Sequence, residues 1–404
     1  VPPRSRPLRV LVGCVVVVAA AGGCSAHRET PESPASPPAA TSEGTPPARV
    51  TGAPRVVPAP FRDPLPGMPP AVPGRVYAHA GAGQVAPQAA GDPAYLYVPN
   101  AYGAPVTTVI DQRTRTIVRV LHTGELSQHV TPSWDLRTLY VEASASNQLV
   151  AIDPATGRIE RRIPQRRPYN LYFTPDGRHG IVMDEEHDDI AFTDPRTFRR
   201  GAVVHDGSCR GPNHADFSAD GRYFLVSCEF SGSLLKVSTT SHRVTGRLDL
   251  GPGSKPQDVR LSPDGRVFYV ADMARDRLLR IGWRHLRVVG VTHLPSMPHG
   301  IYPSRDGRHL YVSDRMAGEV SVVSVASHQV VDTWKAPGSH PDMGGVSADG
   351  RTLWLSGRYD GHVYGWDTRT GKLVAKIDVG GNPHGLLVWP QPGRYSLGHT
   401  GNLR

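Results

Sequence analysis

A short phrase, a polar turn followed by a β-prone run, recurs along the chain every 41–44 residues, and this spacing constrains the fold more than any other feature. It reads Ser262-Pro263-Asp264-Gly265-Arg266 and then Val267-Phe268-Tyr269-Val270. It returns as Thr174-Pro175-Asp176-Gly177-Arg178, Ser218-Ala219-Asp220-Gly221-Arg222, Ser304-Arg305-Asp306-Gly307-Arg308 and Ser347-Ala348-Asp349-Gly350-Arg351. Ser133-Trp134-Asp135-Leu136-Arg137 is a worn copy, and Gly91-Asp92-Pro93 stands where one more should be. Glycine takes positive φ without a Cβ clash and aspartate bonds back to nearby backbone N–H groups, so Asp-Gly is a turn signal. Apolar alternation on both sides makes each copy a β-hairpin.

A second hairpin follows the first in each unit. Gln148–Asp153, the turn Pro154-Ala155-Thr156-Gly157 and Arg158–Ile163 form one example; Val363–Asp367 with Lys372–Val379, and Val320–Val325 with Val330–Trp334, are its relatives. Four short strands per unit without helical periodicity is the composition of a propeller blade, and a period near 43 is that of a propeller array. A lone blade cannot bury both faces, so the units must stack around an axis. The expected fold is therefore all-β: a seven-bladed β-propeller of four-stranded antiparallel blades, residues 94–394. The first unit, near Tyr95–Val98, lacks an inner strand, and Gly385–Trp389 has nothing after it to complete a blade. The C-terminal strand should close the ring by joining the N-terminal blade, which removes the open sheet edges. The tail, 395–404, has no assigned place.

The N-terminus reads as an export signal. Arg4, Arg6 and Arg9 precede an apolar run, Val10–Ala21, that is too short for a spanning helix. Ala21-Gly22-Gly23-Cys24-Ser25 resembles a bacterial lipobox, with Ala21 where Leu is preferred, and the resemblance implies lipidation of Cys24, with residues 1–24 forming the signal and its lipobox. Residues 25–93 are rich in Pro and Ala and read as a disordered tether, although Val76-Tyr77-Ala78 has enough apolar character to touch the head. The implied placement is the outer face of a bacterial cytoplasmic membrane, with the membrane as a partner through the lipid. The formal charge of +9, of which the three signal arginines contribute three, is spread along the chain, so no nucleic-acid partner is expected. A monomer is expected, and a protein or cell-envelope ligand is left open. Cys209 and Cys228 flank one hairpin and suit a disulfide in an exported protein; free buried thiols and metal ligation are the other readings.

Tyr95-Leu96-Tyr97-Val98-Pro99-Asn100, Leu139-Tyr140-Val141, Phe268-Tyr269-Val270-Ala271-Asp272 and Leu310-Tyr311-Val312-Ser313-Asp314 resemble the YVTN-repeat β-propellers, the YncE-like and surface-layer-like group. The resemblance covers the head and implies a seven-bladed propeller working outside the cytoplasm. Gly361-His362 with Trp366-Asp367 is similar to a WD-type signature but far too closely spaced, and it does not recur.

Candidate functional residues follow from register. Pro168, Pro212, Pro256, Pro298 and Pro341 each lie eight residues before a turn aspartate, and the residues after them begin the innermost strands: Asn170, His214, Asp258, His299 and Asp342. His129 and His384 hold the matching places in the first and last copies, and His340 precedes Pro341. Innermost strands line a propeller's channel, so these side chains should form a polar collar at one mouth. The ends of the second strands, Glu142, Asp184, Glu229, Asp272 and Asp314, should return to the same end and add a carboxylate ring. Imidazoles and carboxylates converging from different blades suit a transition metal, and His129, His214, His299 and His384 are the leading ligands. Turn capping and backbone satisfaction would use the same residue types.

Nitrous oxide reductase and haem-binding nitrite reductase propellers are similar in their His-bearing strand starts, but this chain has no CxxCH and no Met- and Cys-rich copper segment. A lactonase-like hydrolase would need a metal-held water and a base, with His214 and Glu229 as candidates. No Ser-His-Asp phrase or phosphate loop is present. The expected function is a binding or scaffold module using the collar; a metal-dependent enzyme or redox protein is the alternative.

Overall fold

The computed structural model describes residues 64–404. The proposed signal, Cys24 and most of the tether lie outside the described residues. The head is a seven-bladed β-propeller. Blade 1 holds Tyr95–Tyr102, and the inner strands of blades 2 to 7 are Ser127–Pro132, Asn170–Phe173, Pro212–Phe217, Pro256–Leu261, Pro298–Pro303 and Pro341–Val346. Each blade is an antiparallel meander running outward from the axis, with the strands of blades 2 to 7 in chain order from their inner strand and the inner edge of blade 1 supplied from the C-terminal end.

The repeated phrase builds the turn between the first and second strands. In blade 5 the Ser262 hydroxyl donates to Asp264 Oδ1 at 2.6 Å, the Arg266 and Val267 amides donate to Ser262 Oγ, and Gly265 takes φ 73°. The hydroxyl-to-aspartate bond and the bond from the amide five residues on recur at Thr174, Ser218, Ser304 and Ser347. The worn copy keeps them too, with Ser133 donating to Asp135, and Leu136 accepts φ 62° in glycine's place. A non-glycine residue is strained there; the full burial of Leu136 between blades 1 and 2 offsets that strain.

Alternation along each second strand feeds two interfaces. In blade 1, Leu96 enters the cluster shared with blade 7 and Tyr97 the cluster shared with blade 2. Among the described residues, seven apolar clusters each join one blade to the next, the last joining blade 7 to blade 1. Closure is made as expected: Leu387–Trp389 pairs antiparallel with Tyr95–Tyr97, and Asn382–Pro383 pairs at Asn100 and Tyr102. Cys209 and Cys228 form a disulfide with Cα atoms 5.0 Å apart.

Two segments depart from expectation. Composition assigns residues 64–93 to a disordered tether, yet they form a strap across the face made by the Asp-Gly turns. Leu65 N donates to Asp220 O, Val76 N to Pro263 O and Gly83 N to Ala348 O, each at 2.7–2.8 Å, and Leu65, Ala80, Ala86 and Ala89 are buried. The strap is held by backbone bonds to turn carbonyls and by small side chains, so it carries no apolar period. The tail enters the channel from the same face. Ser396–Gly398 and Asn402–Leu403 form a small hairpin added to the inner edge of blade 3, with Gly398 opposite Tyr172. Arg404 and Asn402 both donate to the buried carboxylate of Asp216, at 2.7 and 2.9 Å.

Candidate functional site

The side chains of the collar are aimed inward by a defect that the blades share. In blade 2, Ser127 pairs with Ala143 and Val130 with Val141, so Gln128 and His129 together oppose one residue, Glu142. The same two-against-one bulge places Asn213-His214, Gln257-Asp258, His299-Gly300 and Asp342-Met343 in blades 4 to 7. A bulge kinks its strand and re-aims side chains; here it turns them toward the axis. In blade 1, His384 sits beside the bridge between Gly385 and His129, where a Cβ on Gly385 would collide with the His129 ring.

Five imidazoles meet there, all buried: His129, His214, His299, His384 and, from the tail, His399. Ring centroids lie 4.5 Å apart for His214 and His399, 4.7 Å for His129 and His384, and 5.1 Å for His129 and His399. Two groups of metal-ligand geometry result. In His129, His214 and His399 the ligand atoms lie within 4.8 Å of one another, and the same holds for His299, Asp342 and His384.

Hydrogen bonds set the tautomers. His129 Nδ1 donates to Tyr169 O at 2.8 Å and His399 Nδ1 to Asn170 Oδ1 at 2.9 Å, which leaves Nε2 of both rings with a lone pair and no partner. The Asn170 amide nitrogen donates to Asn213 O at 3.0 Å and lies 3.1 Å from His214 Nδ1, and His214 Nε2 is likewise without a partner. His384 Nδ1 donates to Gln128 Oε1 at 2.9 Å, so its Nε2 lone pair faces Asp342 Oδ2 at 3.6 Å. Asp258 Oδ1, itself unpartnered, lies 3.6 Å from His399 Nε2.

Burial keeps these rings neutral. It drives His129 down to about 3, partly offset by the bond to Tyr169 O, and with the neighbouring Arg315 takes His299 down to about 4. His214, His384 and His399 are pushed well below the usual histidine range by the same desolvation. Burial alone would raise the Asp342 carboxyl, but the Arg315 guanidinium holds it well below the usual carboxylate range.

Not every expected residue joins the collar. His340 lies outside it, its backbone N–H donating to Asp360 Oδ2 at 2.7 Å. The carboxylate ring does not assemble, because the strand-two residues are not in one register. Glu142 is one place earlier than Asp184, Asp272 and Asp314, and a one-residue shift turns a side chain to the other sheet face. It occupies the position of Ser227, Ser313 and Ser356, buried beneath the bulge with both carboxyl oxygens unpartnered. Asp184 is taken by Arg166 and His187, Asp272 by Arg277 and Lys255 N, and Asp314 by Ser321. Glu229 does reach the mouth, where it and Glu185 both accept from Asn213 Nδ2 at 2.8 Å. Burial, with Glu229 beside it, pushes the Glu185 carboxyl up to about 8. Three contributors escape the sequence reading: His399, Arg315 and Arg358. The only signal for His399 is its placement in Gly398-His399-Thr400-Gly401, where all four residues take positive φ.

Comparison with a family model for the YncE-like β-propeller matches residues 64–393. The chain belongs to the YncE-like β-propeller family. No curated protein sequence matches this YncE-like propeller. Among solved structures it is similar to a functionally unknown protein from Desulfotomaculum acetoxidans, with TM-score 0.60 and 14% identity over 72% of this chain and 98% of that one. A putative 6-phosphogluconolactonase from Bacteroides uniformis aligns with TM-score 0.59 and 17% identity over 73% and 99%. A dihydro-heme d1 dehydrogenase, NirN, aligns with TM-score 0.55 and 15% identity over 73% and 75%. At these identities the likeness shows the fold alone.

Proposed function

We propose that this YncE-like propeller is exported, held at the outer face of the cytoplasmic membrane by a lipid on Cys24, and works as a binding module whose ligand meets one mouth of the channel. The observation that carries the reading is the asymmetry of the two mouths. Strap and tail cover the turn face. The other face is formed by the loops after the second strands and presents two carboxyls that share one amide donor, Glu185 and Glu229 on blades 3 and 4, and Arg358 on blade 7, whose Nη1 is buried without a hydrogen-bond partner. Tyr102, Phe230, Met316 and Tyr359 stand exposed on the same loops, between 49% and 57% accessible. Aromatic side chains beside unsatisfied charge are the usual make-up of a recognition surface. The disulfide supports an oxidising compartment.

One reagent tests both halves. A Cys24→Ala chain should leave the membrane fraction for the medium, and the released protein should co-sediment with purified cell-wall material. Adding Arg358→Ala and Tyr359→Ala should weaken that co-sedimentation at least about tenfold, the effect of losing roughly 1.4 kcal/mol of contact. Retention of the Cys24→Ala chain in the membrane contradicts the anchor. Wall binding that is absent, or unchanged in the rim variant, contradicts the recognition surface.

A further inference from the structure

Below the rim, the imidazole cluster poses an electrostatic problem that its own hydrogen bonds do not solve. His129 and His399 have spent their Nδ1 protons on Tyr169 O and Asn170 Oδ1, so two nitrogen lone pairs point into one space that His214 Nε2 also enters. Asp258 Oδ1 adds a carboxylate oxygen 3.6 Å from one of those lone pairs. All four side chains are fully buried, and none of these four atoms has a partner. One N–H, on His214 Nε2, cannot satisfy three buried acceptors, His129 Nε2, His399 Nε2 and Asp258 Oδ1, and a native interior rarely leaves several unsatisfied at one point.

We propose that His129, His214 and His399 bind one transition-metal cation of the zinc or copper class through Nε2, with Asp258 supplying counter-charge, and that this ion fastens the C-terminal hairpin into the channel. The ligand chemistry selects the metal class. Neutral imidazole suits zinc, copper and nickel, whereas calcium and magnesium require oxygen shells. Two of the three rings already have the supporting bond that such ligands normally have, Nδ1–H to a carbonyl oxygen. For His214 Nε2 to bind the ion, the ring must take the other tautomer, its proton leaving Nε2 and residing on Nδ1. Its Nδ1 faces the Asn170 amide nitrogen, so metal entry must also move that amide. Nitrogen-to-metal bonds of about 2.0–2.1 Å require the three atoms to draw together from within 4.8 Å, each moving by up to about an ångström.

The second group, His299, Asp342 and His384, brings two imidazoles rather than three to a carboxylate that a guanidinium already holds. Arg315 pairs with one oxygen of that carboxylate, through Nε at 3.0 Å and Nη2, and His299 Nδ1 lies 2.9 Å from the same oxygen. The three-histidine cluster lies beneath the rim, and its metal does not depend on whether the rim binds a wall ligand.

His399 makes the site distinctive, since it comes from the tail rather than from a blade. Without it, two blade histidines remain, and the hairpin loses its deepest attachment. The experiment is titration of the full chain, purified and stripped with chelator, with Zn²⁺ in competition with a chromogenic chelator, followed by Co²⁺ absorption. One equivalent of Zn²⁺ should bind, His399→Ala and His129→Ala should each weaken it at least about 100-fold, and His242→Ala, on the outer wall, should leave it unchanged. Zn²⁺ should also slow amide exchange across residues 396–403. Should the variants fail to fold, the Co²⁺ spectrum of the wild-type chain decides: intense visible bands of a four-coordinate, nitrogen-rich site are expected. A weak six-coordinate spectrum, no stoichiometric binding by the folded chain, or equal binding by His399→Ala overturns the proposal.

Discussion

Glu142 shows how one residue can be identified correctly and placed wrongly. Strand ends put its carboxyl at the mouth, but it lies where three other blades use serine to bond the backbone of the inner-strand bulge, as Ser227 does with both N and O of His214. No such bond reaches Glu142, and burial raises its carboxyl well above the usual range. It is therefore protonated when folded, whereas in the unfolded chain it ionises above about pH 4.5. The folded state holds the extra proton, so Glu142 lowers stability progressively as pH rises above that value. Replacing it with the neutral isostere should remove this dependence. Chemical denaturation of Glu142→Gln should match the wild type near pH 4.5 and exceed it by about 1 kcal/mol or more near pH 8, since a tenfold change in proton affinity is worth about 1.4 kcal/mol. An equal or smaller stability at pH 8 contradicts a buried neutral carboxyl.

Among the elements, the C-terminal hairpin is the one that the repeat logic could not reach. It enters the channel because Gly398, at φ 113°, lies against blade 3 so closely that a Cβ would collide with Leu171 O and Tyr172 Cα. Gly398→Ala should expel the hairpin, leaving the Asp216 carboxylate without Arg404 and Asn402. Breaking a buried ion pair typically costs about 3–5 kcal/mol. Denaturant unfolding should show a loss of that order, with limited proteolysis cutting at residues 395–404. An unchanged midpoint and an uncut tail would contradict the close approach. The blades themselves were legible because period, turn chemistry and alternation agree: Asp-Gly marks each turn, and Leu96 and Tyr97 split between two interfaces as the pleat requires. Strap and tail were not, since backbone hydrogen bonds and small side chains leave no period to read. The collar was legible to within one residue. The prolines marked where inner strands begin, but the bulge after them, which decides where His129 and His214 point, has no sequence signature. Glu142 and the missing carboxylate ring are the cost of reading register from strand ends.

At the scale of the whole molecule, ring closure turns seven separate strand starts into one site. Leu387–Trp389 completes blade 1 and so brings His384 against His129, residues separated by most of the chain. Closure also makes the cluster dry, and dryness makes it sensitive to acid. In the unfolded chain each of these histidines takes up a proton below about pH 6.5, while the folded rings stay neutral down to values such as the 3 and 4 of His129 and His299. The unfolded state then binds more protons, and stability falls as pH drops through that window, by up to about 1.4 kcal/mol per pH unit for each ring. The convergence itself is tested most directly by ring-nitrogen NMR of the chelator-treated chain as pH is lowered from about 7.5 to about 5.5, which spans the ordinary histidine midpoint. Of the eighteen histidines, the expected result is that His129, His214, His299, His384 and His399 keep neutral, fixed-tautomer signals, with Nδ1 protonated in His129, His384 and His399. Protonation of those five near pH 6.5, in step with the surface histidines, would contradict a closed ring with its imidazoles gathered on the axis.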